Sequence, residues 1–444
     1  MILKLIDKES LDTILELRAP IFCFLEITNK CNNNCFGCGN VFQYKRSEKD
    51  LTYKQWKTII NKIAPHINHV RVTGGEPSLR KDLFLILDEL EKRKIEFSIF
   101  TNARWNNPNI FLNRLKKYKL FTGLLISLHG ATAFSHEKWS RIKGSFKETI
   151  KNIRLAISCD IMVDTNAVIS PYNYDEVEKL TKLAFNLGAK TMVFNRFYGK
   201  NESGDFQKLE TETSEKQLIT AIKTIEKLKN KYNGRVIHGN CTPQCFYPTS
   251  SGGCLTGITY CTIDPFGNVR PCNHSPWKIG NILKKSLPSL WQSSKMREWR
   301  NYFPAECKKC SLFLKCHGGC KALMAEFGMQ KDPLMKKTIP AKKSKPAAEK
   351  EDTITIHKNI IPVKNIQKIR KEKMGYTLIN KSQAIVITKE GYGIIKYCNN
   401  KNTLLKIQKK FGDNALNFIY SLYQKGFILF SMPAAAGQEP AHRQ

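Results

Sequence analysis

The chain has 444 residues, with 72 Lys and Arg against 38 Asp and Glu, a formal net charge of +34. Hydrophobic residues make up 41% and charged residues 25%, an ordinary globular composition that excludes wholesale disorder. No apolar run reaches the ~18–20 residues of a membrane span, and Met1–Arg18, which mixes Lys, Asp and Glu with Leu and Ile, does not read as a signal peptide; the expectation is a cytoplasmic protein.

In chain order, strands are predicted at Ile21–Thr28, His69–Thr73, Glu96–Thr101, Thr122–Leu128, Met162–Ile169 and Thr191–Phe197. Helical patterns alternate with them at Thr52–Ala64, Lys81–Arg93, Pro108–Tyr118, Ser145–Ser158, Asp175–Leu187 and Ser214–Lys229. Parallel neighbours need crossover connections, so this alternation predicts an α/β fold, a partial (β/α)6 barrel of the TIM type, over residues 1–237. In such sheets functional residues gather where strands end and loops begin. From residue 238 to 337 periodicity weakens while Cys, Gly and Pro become frequent, which reads as a metal-stapled, irregular domain. Residues 338–352, rich in Lys, Pro and Ala, read as a linker. A small α+β domain follows over 353–432, with strands at Gly375–Ile379 and Ala384–Thr388 and helices near Thr403–Lys410 and Asn414–Lys425. Between Thr338 and Met432 there are 18 basic and 6 acidic residues. Residues 433–444 read as a disordered tail.

Most of the 15 cysteines fall in two clusters, and in a reducing compartment such clusters bind metal more often than they form disulfides. The first, Cys31-Asn-Asn-Asn-Cys35-Phe-Gly-Cys38, follows directly on the first strand. Three thiolates on one loop can wrap three corners of a cubane cluster and leave the fourth iron open to a small molecule. A structural zinc loop is the alternative, but it would close with a fourth Cys or His, and none sits within this loop. Gly74-Gly75-Glu76-Pro77 ends the second strand; the glycines let the backbone approach a ligand closely, and Glu76 could accept bonds from an ammonium. Ser127-Leu128-His129-Gly130 closes the fourth strand. Asn166 and Asn195, on the fifth and sixth, are weaker polar candidates for which an ordinary strand-end role competes.

The second group reads Cys254-x6-Cys261-x5-Gly267-x4-Cys272, then Cys307-x2-Cys310-x5-Cys316-x3-Cys320. Seven cysteines at metal-ligand spacing are poorly explained as core thiols; a pair of zinc ribbons is the alternative.

The Cys-x3-Cys-x2-Cys loop, with Phe36 before its last cysteine, resembles the radical S-adenosylmethionine superfamily. The resemblance implies that Cys31, Cys35 and Cys38 hold a [4Fe–4S] cluster whose open iron is chelated by the cofactor's methionine group. Reductive cleavage then gives a 5′-deoxyadenosyl radical. It further implies that Phe36 packs against the adenine and that the Gly74–Glu76 motif holds the cofactor's amino group. Ser127 would contact the ribose or carboxylate, Arg141 would pair with the methionine carboxylate, and Asn166 joins as a further cofactor contact.

The second group resembles the SPASM extension, which houses two auxiliary iron–sulfur clusters. By that resemblance Cys254, Cys261, Cys272 and Cys320 hold the first, and Cys307, Cys310 and Cys316 the second. Where the family commonly has Asp-Pro-x-Cys, this chain has Asp332-Pro333-Leu334-Met335, and a thioether supplies no thiolate charge. The fourth position of the second cluster is therefore left to Asp332, His317, Cys241 or Cys245, or open. The C-terminal order of strands and helices is winged-helix-like and similar to the PqqD-type peptide-recognition element. Such domains capture a leader peptide as an added strand.

The expected activity is that of a radical S-adenosylmethionine enzyme modifying a ribosomal precursor peptide, with a thioether or carbon–carbon crosslink as product. A ferredoxin or flavodoxin would donate the electron, its acidic surface suiting a basic partner. The rivals are a protein maturase of the anaerobic sulfatase-activating type, a cofactor-maturation enzyme, and a zinc-ribbon, winged-helix nucleic-acid binder. Peptide is favoured over nucleic acid as partner, and no membrane is involved.

Overall fold

The computed structural model describes residues 17–39, 47–197, 213–248, 252–335, 359–373, 375–380 and 383–431. The linker expected at 338–352 and the tail at 433–444 lie outside them. Two compact units are present, residues 22–342 and residues 343–444 taken together with 1–21.

In the larger unit the strands are β1 (Phe22–Glu26), β2 (His69–Thr73), β3 (Glu96–Thr101), β4 (Phe121–Ser127), β5 (Val163–Ile169), β6 (Met192–Arg196) and β7 (Val236–His238). Each runs parallel to the next, which is the order that right-handed strand–helix–strand crossovers generate. The six expected strands are all present, because β-branched and aromatic runs bounded by polar loops leave little choice of element. Helix starts obey local chemistry too. Thr52 caps the helix Tyr53–Ile63 by a reciprocal box with Gln55, and Ser214 does the same with Gln217 ahead of Glu215–Lys231.

The sheet does not stop at six strands. The Cys-rich segment contributes β8 (Tyr260–Ile263), parallel to β1, then β9 (Asn268–Arg270) and β10 (Gly280–Asn281), both antiparallel. Among the described residues this makes one ten-stranded sheet, ordered β10-β9-β8-β1-β2-β3-β4-β5-β6-β7. Alternation divides its faces. Cys23, Leu25, Val70, Val72, Phe97, Ile99, Leu124, Ile126 and Ala167 join Trp56, Ile60, Leu87, Leu90 and Ile153 of the helices in one apolar core. The intervening positions, among them Phe24, Arg71, Ser98, Ser127 and Asn166, face the other way; there Arg71 lies over the rings of Phe22, Phe24 and Phe100.

A buried ion pair locks the added strands to the barrel. Arg270 of β9 is fully buried, pairs with Glu26 of β1, and donates from Nη1 to the carbonyls of Cys272, Asn273 and Ser275. The turn after Cys272 is thereby held at the end of β1 from which the first cysteine loop departs.

The smaller unit has β11 (Ile361–Lys364) paired with β15 (Ile428–Ser431), and a separate antiparallel sheet β12 (Lys368–Lys371), β13 (Tyr376–Asn380) and β14 (Gln383–Ile387). Helices Lys389–Tyr397, Leu404–Phe411 and Asn414–Gln424 cover a second core of Leu378, Ile387, Ile394, Ile407, Phe418 and Leu422. Residues 18–20, assigned from the sequence to the barrel, bond into this unit: Arg370 donates to the Ala19 and Pro20 carbonyls, and Arg18 N to Glu372. No described helix is long and apolar enough to cross a membrane.

Candidate functional site

Cys31, Cys35 and Cys38 sit on the loop leaving β1, all three half-buried. The loop is strapped on two sides. Asn102, just past β3, donates to Asn32 Oδ1 (2.7 Å) and lies 3.8 Å from Cys31 Sγ. Arg104 donates to Asn32 O and Asn33 Oδ1, both at 2.8 Å, while its Nε pairs with Glu148. On the other side Asn34 N and Phe36 N donate to the carbonyls of Ser140 and Trp139. Those carbonyls end the short helix Ala133–Ser140, which the sequence reading missed; its signal was the Thr132–Ser135 capping box. Neither Asn102 nor Arg104 was singled out from the sequence, since nothing there tells which loop meets the cysteines.

Gly74 and Gly75 make their close approach to protein backbone. A Cβ on Gly74 would stand 2.3 Å from Thr28 O, and one on Gly75 2.1 Å from Lys30 O. Gly75 N and Glu76 N donate to those same carbonyls at 2.7 Å, so the turn after β2 is zipped onto the base of the cysteine loop. Glu76 is fully buried, and its carboxylate receives Thr101 Oγ1 (2.8 and 3.0 Å), Asn102 N (2.8 Å) and Ser78 N (3.1 Å). Burial pushes its pKa up, and those donors pull it back. These contacts give the carboxylate a positioning role. It ties the end of β2 to the end of β3, and so to the Asn102 strap.

Arg141 follows the helix Ala133–Ser140 in left-handed conformation, φ 55°, and its guanidinium lies 4.6 Å from the Phe36 ring centroid. The structure thus brings these two expected contacts together beside the thiols. Ser127 and Asn166 are register partners on β4 and β5. Asn166 Oδ1 is buried and meets no hydrogen-bond donor among the described residues. Asn195 Oδ1 would lie 2.5 Å from a Cβ on Gly239, which places it against the chain after β7. His129 accepts from Val168 N and stays neutral, burial lowering its pKa; with His136 it braces strand ends. Three half-buried thiols on one loop, an orphaned amide oxygen on β5 and an arginine laid on Phe36 fit a cluster with an organic cofactor beside it.

The later thiols separate into two groups that differ at Cys261 and Cys241 from the sets the resemblance implied. Cys241 is within hydrogen-bonding reach of Cys254 and Cys320, and Cys272 joins the same small core with Cys320, Trp277 and Trp299. Cys261, expected among them, points to the opposite face of its strand, its Sγ 3.6 Å from that of Cys23 in the barrel core. Cys307, Cys310 and Cys316 line a cavity of about 460 Å3 together with Cys245 and Met335. Asp332 is occupied elsewhere: it pairs with buried Arg196 at 3.1 and 2.5 Å and accepts from Cys320 N and Leu334 N. His317 Nδ1 is 3.2 Å from Cys254 O. Among the described residues no three Cys, His, Asp or Glu side chains gather round a single ion; a cubane, whose thiolates bind separate irons, does not require it. His274 links the two regions, its ring against Gly39 and its backbone N–H donating to Cys272 Sγ at 3.4 Å.

A parallel barrel whose first strand delivers a three-thiol loop, extended by a thiol-rich segment, defines an iron–sulfur enzyme. Residues 25–184 match the Radical SAM superfamily, and residues 254–311 match SPASM, an iron–sulfur cluster-binding domain. The chain therefore carries a radical SAM domain, which implies a [4Fe–4S] cluster and S-adenosylmethionine, and a SPASM domain, which implies further clusters. It is 26% identical over 333 residues to the AdoMet-dependent heme synthase of Methanosarcina barkeri, spanning 68% of this chain and 92% of that protein. It is 28% identical over 338 residues to the mycofactocin maturase MftC of Mycolicibacterium smegmatis, spanning 71% and 82%. Streptococcus suis SuiB bound to its precursor peptide SuiA shares the fold, with a TM-score of 0.61 at 18% identity over 73% of this chain and 78% of that one.

Proposed function

We propose that the chain is a radical S-adenosylmethionine maturase of a ribosomally made peptide, working in the cytoplasm with a ferredoxin or flavodoxin as electron donor. When bound, the cluster and S-adenosylmethionine supply a 5′-deoxyadenosyl radical able to take hydrogen from an unreactive C–H. Cys31, Cys35 and Cys38 would hold the cluster, and the Asn102 and Arg104 straps fix their loop. Arg141 would take the methionine carboxylate while Phe36 and Asn166 position the nucleoside. Cys241, Cys254, Cys272 and Cys320 would hold one auxiliary cluster.

The observation that carries the peptide reading is the smaller unit, taken with the likeness to MftC and to peptide-bound SuiB. Among the described residues the outer edge of β14 pairs with no strand. Its backbone groups can therefore accept an extended leader, as the PqqD-type resemblance implies. The surplus of basic residues there suits an acidic leader. The likeness to the M. barkeri heme synthase favours a second reading, maturation of a small cofactor.

The test is to incubate the reduced enzyme with S-adenosylmethionine and the product of a neighbouring small open reading frame, followed by mass spectrometry. A mass change of hydrogen loss in the peptide, with β14 amides protected from hydrogen exchange by the leader, supports the peptide reading. Turnover of a porphyrin-type substrate, with the peptide untouched, overturns it.

A further inference from the structure

We propose that Cys245 is the fourth ligand of the second auxiliary cluster, so that the five residues Cys241–Cys245 give one thiolate to each auxiliary site. The proposal rests on the reading of these thiols as iron–sulfur ligands. Four sulfurs, those of Cys245, Cys307, Cys310 and Cys316, face one cavity of about 460 Å3, a size typical of cofactor sites. The loop bearing Cys245 is fixed there, since Gln244 is buried and its N–H donates to Cys316 Sγ at 3.4 Å.

The other candidates are excluded by what they touch. The Asp332 carboxylate accepts from Arg196 and from two backbone amides. His317 is turned to the Cys254 carbonyl. Cys241 stands with Cys254 and Cys320. Met335 does line the cavity, but its thioether carries no charge to balance iron. The chain has thus moved the ligand from the turn after Cys320 to the loop before Cys254. This arrangement couples the two sites through a single strap, with Cys241 and Cys245 only four residues apart.

The test uses the full chain with Cys31, Cys35 and Cys38 all changed to Ala, which isolates the auxiliary sites. Two [4Fe–4S] clusters give about 8 iron and about 8 sulfide per chain. Adding Cys245→Ala should, on mild oxidation, release about one iron and produce a [3Fe–4S] electron paramagnetic resonance signal absent from its parent. Adding Met335→Cys to that variant should return the iron and abolish the signal, because residue 335 lines the same cavity. The proposal is overturned if Cys245→Ala leaves iron and spectrum unchanged. It is equally overturned if Met335→Cys fails to restore what Cys245→Ala removes. A parent that binds zinc and no sulfide would overturn the cluster reading itself, an outcome distinct from either of those.

Discussion

Replacing Glu76 by Gln separates a positioning carboxylate from a cofactor ligand. Oε1 accepts from Ser78 N and Thr101 Oγ1, and Oε2 from Asn102 N and Thr101 Oγ1. Gln must put its NH2 in place of one of these oxygens. The Thr101 hydroxyl already accepts from Ala103 N and Trp105 Nε1, so it can only go on donating to the remaining oxygen, and a backbone N–H cannot accept. Whichever way the amide is set, Ser78 N–H or Asn102 N–H is left facing a donor inside a fully buried pocket. One such loss costs about 1–3 kcal/mol, which in a unit of this size should lower the apparent melting temperature by roughly 1–5 °C. The folded variant retains the Gly74–Gly75 backbone and the three thiols, so its affinity for S-adenosylmethionine, measured by anaerobic equilibrium dialysis below the melting transition, should stay within about 3-fold of the parent, under 1 kcal/mol. A variant that melts with the parent and binds the cofactor at least ~10-fold more weakly would refute this reasoning and return Glu76 to the ligand shell.

Other outcomes follow from the same contacts. Arg270→Met strands buried Glu26 and should cost about 3–5 kcal/mol; Glu26→Gln added to it should recover part of the loss in thermal melts, and additive losses would contradict the pairing. Cys261→Ala should leave iron and sulfide unchanged, whereas Cys241→Ala should lose auxiliary cluster signal. Asn166→Ala should weaken S-adenosylmethionine binding by about 5–10-fold, with little change in melting, since Oδ1 has no donor among the described residues. Burial holds His136 neutral, with its pKa lowered from 6.5 to about 4. Its unfolded form takes up a proton first as pH falls, so the stability it contributes is complete above pH 6.5 and is lost from there down towards pH 4, by up to about 3 kcal/mol. His136→Asn should flatten the fall in melting temperature between pH 7 and 5, and an unchanged slope would count against that account.

The strand–helix alternation was plain in the sequence because β2 and β3 begin and end where the apolar patterning does. The short strands β8–β10 were not, for they carry too few residues to show a period, and their pairing to β1 is decided by distant partners such as Glu26 with Arg270. Spacing located the ligand-bearing segments but could not assign individual cysteines. Cys261 alternates with Ile263 on a strand, and that period-2 pattern was the available sign of a core thiol. The spare pair Cys241 and Cys245 had spacing but no visible target until the fold set each beside a different group. The positioning role of Glu76 was not legible, because its three donors, Ser78, Thr101 and Asn102, are known as its neighbours only once β3 lies beside β2.

The thiol loop between β1 and the helix Tyr53–Ile63 is the centre of the proposed chemistry. Its most direct test is 5′-deoxyadenosine released from S-adenosylmethionine by the dithionite-reduced chain, measured by liquid chromatography for the parent and for Cys35→Ala. The parent should form it and the variant fall to the no-enzyme background, with its auxiliary clusters still present. Equal release by the two proteins would contradict the assignment of that loop.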